Sequence, residues 1–196
     1  MLIPAARLGN APYRCEVRTI YAMNTDNNVG PVPRTGRKEG LPQRKQIHLE
    51  SFDYSDCAAV FFVTLCCYDK QQYFSRQEIT QIIIDEIDFR VRCAQEVMVF
   101  TYCVMPDHVH LLLKLKKEYG KSLHNWVAVF KRYITRTVGR QFGVLLLWQK
   151  NFYEHVVRKE ESLEKIAEYI VNNPVRKGLV DDWQKYPYSK IDFRDI

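Results

Sequence analysis

The chain has 196 residues, of which 46% are hydrophobic and 13% aromatic, enough for one domain with a real core plus a tail. No stretch approaches the roughly 18 uninterrupted apolar residues of a membrane span. Met1 to Gly9 also lacks the basic-then-apolar pattern of a signal peptide, so a cytoplasmic protein with no membrane partner is expected. The net charge is +6, but eight Lys/Arg and three Asp/Glu fall in residues 1–45, against 21 and 20 in the remainder.

Residues 1–45 also hold five of the eight prolines and four of the eight glycines. The run Gly30-Pro31-Val32-Pro33-Arg34-Thr35-Gly36 has no apolar period and reads as linker. A basic, poorly ordered extension is therefore expected over 1–45, with Met23 an alternative natural start, followed by a single domain over 46–196.

Within that domain, Ala59 to Leu65 is short, β-branched and aromatic, as a buried strand should be. Ile79, Ile83, Ile87 and Val91 make an i, i+4 stripe that predicts a helix from Arg76 to Ala94. Val97 to Met105 predicts a second strand, Pro106-Asp107 a tight turn, and His108 to Leu115 a third strand. Ser122 resembles a helix N-cap, ahead of a helix with Trp126, Phe130, Ile134 and Val138 as its buried stripe. Phe152 to Val157 predicts a fourth strand. Glu161 to Asn172 predicts a last helix, stopped at Pro174. The order βαββαβ with an extra C-terminal helix implies an α+β, ferredoxin-like fold: one antiparallel sheet with two helices on one face.

The six cysteines (Cys15, Cys57, Cys66, Cys67, Cys93, Cys103) form no CxxC pair and read as free thiols of a reducing compartment. Three other constellations carry chemistry. His108 and His110 are i, i+2 on a strand, so both imidazoles project to one face while Val109 enters the other. They can offer two nitrogens to one ion, or form a hydrogen-bonded polar pair; spacing alone leaves both open. Tyr169 and Asn173 are i, i+4 on a helix, which sets phenol and carboxamide a turn apart on one face; by spacing alone, a half-buried core tyrosine and an Asn ending the helix before Pro174 is the plainer reading. From Tyr119 to Tyr153 there is no acid, while Lys121, Lys131, Arg132, Arg136, Arg140 and Lys150 all occur. This block is either a solvated helix face or a footprint for DNA phosphates.

Together these blocks resemble a known family. Tyr102-Cys103-Val104-Met105-Pro106-Asp107-His108-Val109-His110-Leu111-Leu112-Leu113 is similar to the His-hydrophobic-His signature of the single-tyrosine HUH transposases. Trp148-Gln149, Phe152 to Arg158, Tyr169 to Val180 and Tyr186-Pro187-Tyr188-Ser189 resemble their bacterial branch associated with repetitive extragenic palindromes (REP). Phe52-Asp53-Tyr54 before the first strand fits as well. The likeness spans roughly residues 45–190 and leaves the N-terminal extension without a counterpart.

That resemblance implies His108 and His110 as metal ligands, Asn173 in place of the third, and Tyr169 as nucleophile. Glu154 and His155 lie in a matching block and are candidates for a supporting role. Lys131, Arg132, Arg136, Arg140 and Lys150 are the candidate DNA-binding residues. It implies Mg²⁺ or Mn²⁺ as cofactor and single-stranded DNA with hairpins as partner, for a protein that is monomeric or homodimeric. The implied reaction is nicking and rejoining through a 5′-phosphotyrosine. A non-cutting hairpin-binding protein and a small RNA-binding domain are the competing readings.

Overall fold

A computed structural model of the protein describes residues 51–193. The extension expected over 1–45, with Cys15, lies outside the described residues. Five strands and four α-helices follow in chain order: β1 (Val60–Cys66), α1 (Gln77–Arg92), β2 (Val97–Met105), β3 (His108–Leu115), α2 (Leu123–Phe142), β4 (Tyr153–Val157), α3 (Leu163–Val171), α4 (Asn173–Arg176) and β5 (Ser189–Ile191). The strands form one sheet in the order β4-β1-β3-β2-β5, and every neighbouring pair is antiparallel. The first four strands have the ferredoxin-like order expected from the sequence, and β5 extends the sheet beside β2.

The alternation of β1 sends Phe61, Val63 and Leu65 to one face. There they meet Ile79, Ile83 and Ile87 of α1, and Trp126, Phe130, Ile134 and Val138 of α2, in one buried cluster. Each such side chain contributes about 1.5–3 kcal/mol by leaving water. Ser122 caps α2, accepting from the Asn125 backbone N–H at 3.4 Å. Arg90 is also sunk in this layer, held by Glu86 at 2.7 Å and Glu96 at 2.6 Å.

The opposite face is covered too. Phe100, Cys103 and Met105 of β2, Leu112 of β3, and Ala167 and Ile170 of α3 form a second cluster. The sheet is thus buried between α1/α2 and α3, which is why β2 and β3 read as nearly continuous apolar runs. A β-bulge between Val99 and Thr101 makes this two-sided pattern possible. It inserts one residue, so Val97 and Val99 share the α1/α2 face with Tyr102 and Val104 despite the broken alternation.

α3 ends at Val171, before Pro174 as expected, but helix resumes at once: Pro174 enters the first turn of α4, where its missing N–H costs nothing. β5 was not anticipated, because three residues are too few to show a period. Among the described residues all cysteines are free, and no helix is long and apolar enough to cross a membrane.

Candidate active site

The β2–β3 hairpin places His108 and His110 on the central strand. Their registers set Cys66 and Met105 beside His108, and Thr64 and Cys103 beside His110. Odd positions of β3 (Val109, Leu111, Leu113) enter the α1/α2 cluster, so both imidazoles project from the α3 face, among Phe62, Thr64 and Leu112.

Their rings meet edge to face, with Nε2 atoms 3.1 Å apart. Each Nδ1 is engaged behind: His108 with the Asp107 carboxylate at 2.6 Å, and His110 with the Thr64 hydroxyl at 2.9 Å. An ionised Asp107 carboxylate can only accept, so His108 donates its Nδ1–H to it, and the neutral ring then keeps its lone pair on Nε2. Thr64 can accept or donate, which lets His110 be a proton donor to His108 or present a second lone pair. A separation of 3.1 Å also suits two nitrogens bonded to one ion at about 2.1 Å with a near-right angle between them. Burial pushes the His110 imidazole down to about 3, assisted by His108 and Arg176 and opposed by Asp107 and Asn173. It is therefore neutral near pH 7, the form that coordinates metals.

Tyr169 projects from α3 with half its surface exposed, and its ring lies 6.3 Å from that of Phe62 on β1. One turn further, Asn173 is buried. Its Nδ2 donates to the Tyr169 carbonyl at 3.2 Å and the Ile170 carbonyl at 2.9 Å, closing the end of α3. That fixes the amide plane and turns Oδ1 away from the helix. Asn173 also lies near enough to His110 to favour its protonated form. The four residues suggested by the sequence thus come together from β3, α3 and α4. Among the described residues no group of three or more His, Cys, Asp or Glu can hold a metal; beside the two imidazoles, the Asn173 amide oxygen, which accepts from Arg176 Nη2 at 2.6 Å, could serve as a third donor. Two imidazoles with an amide oxygen suit Mn²⁺ well and accommodate Mg²⁺.

The other candidates separate. Glu154 pairs with Val63 and faces α2, buried with its carboxylate 3.9 Å from His124. It lies across the sheet from the histidines, so it is not a supporting group of that pair. His155 pairs with Phe62 on the site face, and its Nε2 is 2.9 Å from Glu161. Glu161 also accepts from the Arg158 backbone N–H at 2.7 Å. His155 therefore ties β4 to the start of α3, the helix that carries Tyr169.

Arg132, Arg136 and Arg140 are exposed on α2, away from its buried stripe. They form the outer surface of the layer opposite the histidines. Lys150 is exposed, but Lys131 is not a free surface cation: it donates to the Gln149 carbonyl at 2.5 Å and the Lys150 carbonyl at 3.4 Å. Sequence reasoning missed Thr64 and Arg176. Thr64 lies 46 positions from His110 and has no local signal. Arg176 stood in the Tyr169–Val180 block but without a role; its guanidinium lies 3.8 Å over the Tyr169 ring.

A ferredoxin-like sheet with a His-hydrophobic-His central strand beneath a tyrosine-bearing helix has the form of the single-tyrosine transposases. The family model described as "Transposase IS200 like" matches residues 58–173, more than half of the chain, and the chain belongs to that family. Members of this family are enzymes that cleave and rejoin DNA.

Among named relatives, a Haemophilus influenzae protein provisionally named a REP-associated tyrosine transposase is 34% identical over 104 residues, 48% of this chain and 58% of that protein. The REP-associated tyrosine transposase of Escherichia coli strain K12 is 26% identical over 95 residues, 48% of this chain and 54% of its own. The matches thus span little more than half of these two relatives. A solved REP-associated tyrosine transposase bound to a REP hairpin has a TM-score of 0.56 at 22% identity, covering 72% of this chain and 82% of that one. That likeness speaks for the fold.

Proposed function

We propose that this chain is a metal-dependent single-stranded DNA endonuclease and strand transferase that nicks and rejoins DNA beside hairpins, acting in the cytoplasm. The observation that carries the reading is the convergence of the His108 and His110 Nε2 atoms, 3.1 Å apart, on the face where α3 and α4 present Tyr169 and Asn173.

In this reading the Tyr169 hydroxyl gives up its proton and its oxygen attacks the scissile phosphorus. The bond to the 3′ oxygen breaks, and that oxygen leaves as a hydroxyl after taking a proton. The downstream strand stays on Tyr169 through its 5′ phosphate. An incoming 3′ hydroxyl reverses the step, so the phosphodiester energy is kept and no ATP is required. A free tyrosine, with a pKa of about 10, is a poor nucleophile at neutral pH. A divalent ion held by His108, His110 and Asn173, Mg²⁺ or Mn²⁺, would neutralise charge on the phosphate and so favour attack. Asp107 and Thr64 orient the two imidazoles from behind. Unpaired bases beside the hairpin stack on exposed aromatics, and the stem is gripped by its phosphates.

The test is incubation with hairpin-bearing single-stranded oligonucleotides and Mn²⁺ or Mg²⁺, followed by denaturing electrophoresis. A covalent adduct should carry a 3′-end label and not a 5′-end label. No adduct with either metal, across hairpins with varied flanks, would reject the reading in favour of a hairpin-binding protein that does not cut.

A further inference from the structure

The side chain most heavily engaged with the candidate active site, yet without a part in the proposed reaction, is Arg176. It is exposed. Its guanidinium carbon lies 3.8 Å over the Tyr169 ring centroid, and its Nη2 donates to Asn173 Oδ1 at 2.6 Å. We propose that Arg176 makes metal binding and DNA binding interdependent: it occupies the Asn173 oxygen in the free protein and moves onto the scissile phosphate when DNA enters. This rests on the metal-dependent reading above.

Asn173 has one amide oxygen to give. Its nitrogen is committed to the Tyr169 and Ile170 carbonyls at 3.2 and 2.9 Å, so rotating the amide would leave those helix-end carbonyls unpaired. The oxygen that fits as third metal donor is therefore the one Arg176 now holds. If a divalent cation shared that oxygen with a guanidinium, like charges would stand a few ångströms apart, a strongly repulsive arrangement in a partly buried site. The nearby carboxylate, Asp107, is engaged with His108 Nδ1 at 2.6 Å. An anion between the two cations would remove that repulsion and keep Arg176 at the site.

A phosphodiester supplies that anion. The guanidinium is planar and bonds phosphate through two parallel N–H groups. Stacking on Tyr169 uses only its face, which leaves its edge available. Moving from Asn173 to a phosphate frees Oδ1, removes the repulsion and keeps Arg176 against the tyrosine ring. Arg176 thus stays against the Tyr169 ring throughout and contacts the phosphate directly once DNA is bound. By linkage, whatever DNA does to metal affinity, metal must do equally to DNA affinity.

The experiment measures Mn²⁺ affinity by electron paramagnetic resonance, with and without a single-stranded hairpin oligonucleotide, in a Tyr169→Phe parent that cannot cleave. DNA should tighten Mn²⁺ binding in the parent by about 10-fold or more, within the usual range of coupling. Adding Arg176→Gln should tighten Mn²⁺ binding without DNA and shrink the DNA effect below about 3-fold. Arg176→Lys keeps the charge but loses the fork and the flat stack, so Mn²⁺ should bind weakly without DNA and be only partly rescued by it. Arg176→Gln with the parent's Mn²⁺ affinity and the parent's coupling would overturn the proposal while leaving the metal reading intact. A parent that binds no Mn²⁺ sensitive to His108→Ala would overturn both.

Discussion

Tyr153 and Tyr169 both pack against Phe62, each with its ring centroid 6.3 Å from that phenyl ring, and both are about half exposed. Two tyrosines are therefore available on the site face, and exposure does not choose between them. Connection does: Asn173 hydrogen-bonds the Tyr169 carbonyl, and Arg176 covers the Tyr169 ring, whereas Tyr153 sits on the edge strand β4. Tyr169→Phe should abolish the covalent adduct and leave hairpin affinity within about 2-fold, because the ring and its packing persist. Tyr153→Phe should still form the adduct. The reverse pattern on a denaturing gel would transfer the nucleophile to Tyr153.

Metal dependence should follow the imidazole pair and its backing. His108→Ala or His110→Ala should remove both cleavage and any Mn²⁺-induced rise in melting temperature. Asp107→Ala, which removes the carboxylate hydrogen-bonded to His108 Nδ1, should weaken metal affinity by about 10- to 100-fold, the usual cost of losing a partner behind a ligand. Titration calorimetry separates the two effects. Unchanged Mn²⁺ affinity in the Asp107 variant would show that orientation from behind is unimportant here.

The arginines of α2 lie across the sheet from the histidines, so binding and chemistry should separate. Each of Arg132→Ala, Arg136→Ala and Arg140→Ala should weaken all hairpins alike and reduce the salt slope of binding by about 0.7–0.9. The rate at saturating DNA should not change. A truncation before residue 45 belongs alongside, since that segment carries eight Lys/Arg and three Asp/Glu. Loss of all affinity on truncation, with normal binding by the arginine variants, would place the phosphate footprint in the N-terminal segment.

Arg90, with Glu86 and Glu96 at 2.7 and 2.6 Å, is 1% exposed. Arg90→Ala leaves buried carboxylate uncompensated and should cost about 3–5 kcal/mol in urea unfolding. Arg90→Met with Glu86→Leu removes the two buried charges while keeping volume, leaves only the more exposed Glu96, and should recover much of that loss. A cost below about 1 kcal/mol for Arg90→Ala would mean that water reaches Glu86.

The buried His110 also predicts an acid response. Its pKa falls from 6.5 to about 3, first because of burial. The unfolded chain therefore takes up a proton below pH 6.5 that the folded chain refuses. The resulting penalty is absent above pH 6.5 and grows as pH falls toward 3. With a chelator present, His110→Gln should flatten the loss of stability between those limits. An acid limb identical to that of the unsubstituted protein would show that His110 is reached by water.

The sequence by itself determined everything that depends on a short period. The strand bounds Val97–Met105 and His108–Leu115 follow from two short apolar runs separated by the Pro106-Asp107 turn, and the common face of His108 and His110 and the Trp126 to Val138 stripe from periods of 2 and 3.6, all of which a few neighbouring residues display. Membership of the transposase family was legible in the same way, because its blocks are local. The tertiary structure alone decided relations between distant segments. It put Glu154 behind the sheet and His155 in front, since facing depends on the register with β1. It engaged Lys131 with the carbonyls of residues 18 and 19 positions away, and set Thr64 behind His110 across 46 positions. It laid Arg176 over Tyr169 by continuing the helical path through Pro174 into α4. Periodicity says which way a side chain points; what it meets there is set by packing between elements whose separation in sequence carries no signal.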